Sequence, residues 1–230
     1  MKQIALDIGL APGPSLANFL AGQNQLVVSH LSLWVSNQVR SPVPTYLWGE
    51  TGCGKTHLLQ GVRAALAEQG GMGSVGWMDA DQLEPTAFND DWQVVLLDDV
   101  HLYSAIQQHA AFNWFVHATA ASDGQQRWVL ASGAMPPSDL PVREDLRTRL
   151  AWGHVFQLQV LSELERRSVL RQQADARGLF LSDEVMDFLL HRFSRDLASL
   201  IHWLDQLDRY ALQTKRAITV PLLRQMMEQL

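Results

Sequence analysis

The residues Gly49-Glu50-Thr51-Gly52-Cys53-Gly54-Lys55-Thr56 fit the spacing G-x-x-x-x-G-K-[ST]. Chemistry explains the residue types. Glycines let backbone N–H groups curl around phosphate oxygens with no Cβ in the way. A helix beginning at Lys55 turns its positive end toward the same oxygens. The lysine reaches the β- and γ-phosphates, and the Thr56 hydroxyl can ligate Mg²⁺. Cys53 sits inside this loop and reads as a small side chain rather than a redox thiol.

A second pair of residues completes the chemistry. Val94-Val95-Leu96-Leu97 is an apolar run that ends in Asp98-Asp99. A carboxylate at the end of a strand beside a phosphate loop can orient a metal ion. Asp98 is expected to hold Mg²⁺, directly or through water, and Asp99 to orient an attacking water. The eight histidines are scattered and show no metal-ligand spacing.

Regular elements must position these groups. Apolar spacing predicts a helix over 24–39, which Pro42 and Pro44 stop. Tyr46–Trp48 is a strand candidate before the loop, and a helix follows over 55–68. Strands are expected at 75–78, 94–97, 128–131 and 154–158, with a helix over 106–121. The continuous apolar run at 94–97 is the mark of a parallel strand covered on both faces. After Leu158 the pattern becomes all helix. Ser162 and Glu165 form a capping-box pattern at the head of one to about Ala176. Others are expected at 183–192, 196–214 and 220–228. The fold expected is α/β, a parallel-sheet base over 15–158 followed by a small helical domain over 159–230. Residues 1–14, broken by Gly9, Pro12, Gly13 and Pro14, read as an extended tail.

Composition narrows the function classes. The 230 residues carry 18 basic and 24 acidic side chains, a formal charge of −6. That balance disfavours broad phosphate neutralisation along DNA. One cysteine excludes an intrachain disulfide, and a reducing, cytoplasmic setting is the simple expectation. No apolar run approaches the ~18 residues of a membrane span. The eight tryptophans are dispersed within apolar patterns and are expected in the core.

The phosphate loop, the strand ending in two acids and the helical C-terminal segment together resemble an AAA+ ATPase. Four segments narrow that to the DnaA-like family. Asn18-Phe19-Leu20-Ala21-Gly22-Gln23-Asn24-Gln25-Leu26 resembles the opening of the initiator's ATPase domain. Leu97-Asp98-Asp99-Val100-His101 resembles its second acidic motif. Asp145-Leu146-Arg147-Thr148-Arg149-Leu150-Ala151-Trp152-Gly153 resembles its arginine-finger box, with Arg149 at the finger position. Ser194-Arg195-Asp196-Leu197-Ala198-Ser199-Leu200 resembles its sensor 2 helix, with Arg195 as the sensor arginine. The resemblance implies bound ADP or ATP with Mg²⁺, and implies that the ADP form is the active one. It adds Leu20, Asn24, His57 and Arg195 to the nucleotide-binding candidates.

The ends of the chain carry further expectations. The sequence stops at Leu230 with no helix-turn-helix segment, so sequence-specific DNA binding is not expected. Gln3-Ile4-Ala5-Leu6-Asp7-Ile8 resembles the peptide that docks on the bacterial sliding clamp. Gln3 would hydrogen-bond through its amide, and Ile4, Leu6 and Ile8 would supply apolar contacts. Taken together, the features are similar to a regulator that, tethered to the DNA-loaded clamp, stimulates hydrolysis of DnaA-bound ATP through Arg149. A homodimer is a family-based expectation. The other reading is a stand-alone ATPase switch, such as a helicase loader, for which Lys55, Thr56, Asp98 and Asp99 suffice. Two departures bear on that choice: Gly133 stands where the initiators usually show an aspartate, and Asp145 where they usually carry an arginine.

Overall fold

The computed structural model describes residues 13–36, 43–71, 75–120, 127–192, 197–214 and 218–228. It divides into two compact units, Pro14–Val160 and Leu161–Leu230.

In the first unit, helix α1 (Gln25–Ser36) precedes strand β1 (Thr45–Trp48), and the phosphate loop leads into α2 (Lys55–Leu66). Then come β2 (Val75–Met78), β3 (Val94–Leu97), α3 (Ala105–Thr119), β4 (Trp128–Gly133), α4 (Glu144–Ala151) and β5 (His154–Gln157). The five strands form one parallel sheet in the order β2-β3-β4-β1-β5.

Strand alternation explains why helices cover both faces. Tyr46, Val95, Leu97, Val129 and Ala131 point to one side and pack with Ala111, Trp114 and Phe115 of α3 and Leu146 and Leu150 of α4. Leu47, Val94, Leu96, Trp128 and Leu130 point to the other and pack with α1 and α2. Both sides of the central strands are therefore apolar, which is why β3 reads as an unbroken hydrophobic run. Because all strands run the same way, their carboxyl ends share one edge, where open α/β sheets bind ligands. The phosphate loop and Asp98-Asp99 both lie there.

The second unit holds α5 (Glu163–Ala176), α6 (Asp183–Arg192), α7 (Leu197–Thr214) and α8 (Val220–Glu228) around a core that includes Leu170, Met186, Leu189, Leu204 and Leu223. The box at the head of α5 is formed both ways. Ser162 N–H donates to Glu165 Oε2 at 2.7 Å, and Glu165 N–H donates to Ser162 Oγ at 3.3 Å.

Differences from the sequence reading are local. α1 is described to Ser36, and 37–42 lie outside the described residues. β4 runs on to Gly133. The short helix α4 had no periodic signal of its own, with only Leu146 and Leu150 buried among eight residues. Trp152 corrects the expectation of buried tryptophans, since it is 66% exposed at the end of α4. No helix among the described residues is long and apolar enough to cross a membrane.

Two half-buried histidines give the fold a pH dependence. Burial, with His154 nearby, lowers the pKa of His30 from 6.5, and burial also lowers that of His57. The native state holds both rings neutral, so the unfolded chain takes up protons first as pH falls. Their contribution is complete above about pH 6.5 and is lost as pH drops through the folded values. The thermal midpoint should therefore fall between about pH 7.5 and about pH 5.5, with His30→Gln flattening the trend. A midpoint that rises on acidification contradicts this.

Candidate nucleotide site

The loop is built against the segment that precedes α1. Gly54 has φ +98°, and a Cβ there would lie 2.5 Å from the Phe19 ring. Conformation and close approach both demand glycine. The His57 ring lies 5.5 Å from that of Phe19, and its Nε2 sits 3.1 Å from Ser15 O and 2.9 Å from Asn18 Oδ1. The His57 side chain thus holds the 15–19 segment on α2. Asn24 is buried and engages Gln159 twice, donating to its carbonyl at 2.9 Å and accepting from its N–H at 2.8 Å. Leu20 lies half-buried between these two anchors in sequence.

Glu50, Thr51 and Gly52 form the exposed crest of the loop, while Gly49, Cys53 and Lys55 are buried. Lys55 is 6% exposed and donates from Nζ to Gly49 O at 2.9 Å and Glu50 O at 3.2 Å. These carbonyls hold the ammonium inside the loop, at the head of α2. Burial pushes the Cys53 thiol up and keeps it protonated, although Lys55 opposes the shift.

Strand β3 delivers the acids. Asp98 is buried and accepts from Ser132 Oγ–H at 2.6 Å. Burial raises its pKa, and hydrogen bonds from Ser132 and Thr56 pull it back. Asp99 takes a left-handed conformation (φ +49°), and its N–H donates to Ser132 Oγ at 2.9 Å. Ser132 therefore ties the ends of β3 and β4 together, a role the sequence reading missed. The Asp99 carboxylate is about one-third exposed and lies 3.9 Å from His101 Nδ1.

Mg²⁺ fits this donor set. The Thr56 hydroxyl lies close enough to help hold down the Asp98 pKa, and both groups are hard oxygen donors. No group of three His, Cys, Asp or Glu side chains among the described residues could hold a metal alone. An ion here would complete its shell with phosphate and water oxygens, as Mg²⁺ prefers.

Packing explains the glycine at the end of β4. A Cβ at Gly133 would fall 2.1 Å from the Tyr46 hydroxyl, which donates to Met135 O at 2.8 Å. A phenol on β1 occupies the space that an aspartate at 133 would need. Gly133→Ala should cost about 1–3 kcal/mol in denaturant unfolding. Tyr46→Phe should recover part of that loss, because the nearest atom is the phenol oxygen. Strictly additive effects of the two changes contradict the clash.

Arg149 lies apart from the loop in sequence, on α4. Its side chain is half-buried, with Cζ 5.1 Å from the Phe112 ring centroid and 5.7 Å from that of Phe115. It makes no ion pair among the described residues. Asp145, by contrast, pairs with Arg143 at 2.6 Å. Arg195 and the tail residues Gln3, Ile4, Leu6 and Ile8 lie outside the described residues.

Known proteins match both parts of the chain. Residues 13–157 match the family model described as the bacterial DnaA ATPase domain, and residues 163–227 match the Hda lid domain. An uncharacterised protein of Haemophilus influenzae is 30% identical over 239 residues, covering 98% of each chain. Domain III of the Thermotoga maritima replication initiation protein DnaA superposes with a TM-score of 0.72 at 19% identity, covering 96% of this chain and 98% of that one. AMPPCP-bound DnaA from Aquifex aeolicus gives 0.65 at 25% identity, covering 84% of this chain and 64% of that one. The T. maritima RuvB branch-migration motor shares the fold at 0.64 and 16% identity, covering 94% of this chain and 71% of that one. The sheet order, the phosphate loop beside two strand-end acids and these matches agree: the chain belongs to the bacterial DnaA ATPase-domain family of AAA+ proteins and carries a lid of the Hda kind.

Proposed function

We propose that this chain regulates replication initiation by lending Arg149 to the ATP site of DnaA. One observation carries the reading. Arg149 is a partly exposed guanidinium with aromatic neighbours and no carboxylate to neutralise it among the described residues. A cation placed in that way remains free to engage an anion on an adjoining molecule. At a transferring phosphoryl group, it would offset the charge that develops there.

The chain's own nucleotide sets its shape. Loop amides and the head of α2 would cradle the phosphates of ADP or ATP, with Lys55 turned from Gly49 O and Glu50 O toward them. Thr56 and Asp98 would hold Mg²⁺, which neutralises phosphate charge when bound. Leu20 and Asn24 would lie toward the base, and Arg195 would act as the sensor arginine that the family resemblance implies. ADP is the proposed active form, in a cytoplasmic protein that associates as a homodimer.

Gln3, Ile4, Leu6 and Ile8 would tether the protein to the DNA-loaded sliding clamp. The support is the residue pattern. Deleting residues 1–8 should abolish clamp association and with it clamp-dependent stimulation of DnaA. Clamp binding that survives the deletion places the docking site elsewhere.

A second reading, a stand-alone ATPase switch, draws on Lys55, Thr56, Asp98 and Asp99 all being present in the chain. Turnover of ATP by the isolated protein separates the two. Robust hydrolysis without DnaA or clamp, abolished by Lys55→Ala, favours the switch; negligible hydrolysis favours the regulator.

A further inference from the structure

Arg149 is unusual for a long surface cation in having a fixed platform. Phe112 and Phe115 are three residues apart on α3, so they share one face of the helix. Phe115 is fully buried and cannot move without disturbing the core beneath the sheet. Phe112 is half-buried above it. The Arg149 Cζ lies over both rings, closer to Phe112.

The same Phe112 ring also carries Arg143, at 5.5 Å. The two guanidinium groups are not equivalent. Arg143 is anchored by Asp145 at 2.6 Å and lies 3.1 Å from His109 Nδ1, and its backbone N–H donates to Gln108 Oε1 at 2.9 Å. Arg149 has the aromatic faces alone among the contacts described. Asp145 therefore neutralises the neighbour and leaves Arg149 charged and uncommitted.

We propose that Phe112 is the positioning residue for Arg149, holding its guanidinium clear of the chain's own carboxylates and ready for a phosphate oxygen of an adjoining molecule. The inference rests on the finger reading above and deepens it. A free arginine samples many rotamers and must lose that freedom when it engages an anion. The ring's negative face restricts the search beforehand while forming no hydrogen bond that the phosphate would have to break. A carboxylate partner would give order too, but would compete with the phosphate for the same donors.

The test uses the full chain with loaded clamp and ATP-bound DnaA. Phe112→Leu removes the ring, Phe112→Tyr keeps it, and Arg149→Ala is the reference. The maximal stimulated rate should fall roughly three- to tenfold in Phe112→Leu, the size of one lost cation–π contact. The concentration of protein giving half-maximal stimulation should not change, nor should the chain's affinity for ADP. Phe112→Tyr should retain the full rate. Equal losses in Phe112→Leu and Phe112→Tyr indicate a steric role and overturn the proposal. So does a full rate in Phe112→Leu when Arg149→Ala is inactive. If Arg149→Ala itself retains the full rate, the finger reading fails first, and the platform has nothing to position. Should Phe112→Leu fold poorly, Phe112→Met keeps side-chain length without a ring and is held to the same outcomes.

Discussion

Arg149→Ala protein should lose the stimulated hydrolysis of DnaA-bound ATP by about 10³-fold or more, the scale set by removing arginine fingers elsewhere. Its other properties should stay close to those of the parent. Arg149 belongs to α4, whose hold on the sheet comes from Leu146 and Leu150, both buried. The side chain gives up two aromatic contacts, so stability should change by about 1–2 kcal/mol. ADP affinity should be untouched, because Arg149 makes none of the contacts that fix Lys55, Thr56 or Asp98. Arg149→Lys should recover little. An ammonium on a flexible stem lacks the planar fork that meets two oxygens at once. Single-turnover hydrolysis of labelled ATP prebound to DnaA measures the effect. Stimulation that persists in Arg149→Ala assigns the cation to another residue.

Lys55→Ala should weaken ADP binding by roughly 10- to 100-fold, the worth of one charge-assisted hydrogen bond. The buried ammonium is the cation that the loop itself encloses, and its two carbonyl partners lie within the loop. Removing it takes away the charge that would meet the phosphates. It also leaves Gly49 O without its ammonium donor, while Glu50 O keeps the Cys53 N–H at 3.3 Å. Titration with a fluorescent ADP reads the affinity directly. The same variant separates a nucleotide-gated regulator from a pure clamp-binding adaptor. The first needs Lys55 for stimulation of DnaA; the second needs Gln3 and not Lys55.

Much of this arrangement was legible in the sequence because its causes are local. The loop glycines, Lys55 and Thr56 are consecutive, and β3 announces itself by four buried apolar residues followed by acids. The α5 box also depends on residues three apart. Contacts between distant segments were not legible. Nothing in the sequence around Gly133 points to Tyr46, 87 positions earlier, yet the phenol decides what can stand there. Ser132 looks like an ordinary strand residue until parallel pairing sets β4 beside β3, where it meets Asp98 and Asp99. The same holds for Phe112. Its ring matters because α3 and α4 cover the same face of the sheet. The His57 contacts were likewise not legible, since its ring meets Ser15 and Asn18, 42 and 39 positions earlier.

The decisive measurement is a structure of the clamp-bound protein with DnaA and a non-hydrolysable ATP analogue. The account predicts the Arg149 guanidinium within hydrogen-bond reach of the DnaA-bound γ-phosphate, at about 3 Å. Finding Arg149 turned away from that phosphate, with some other cation in its place, would contradict it.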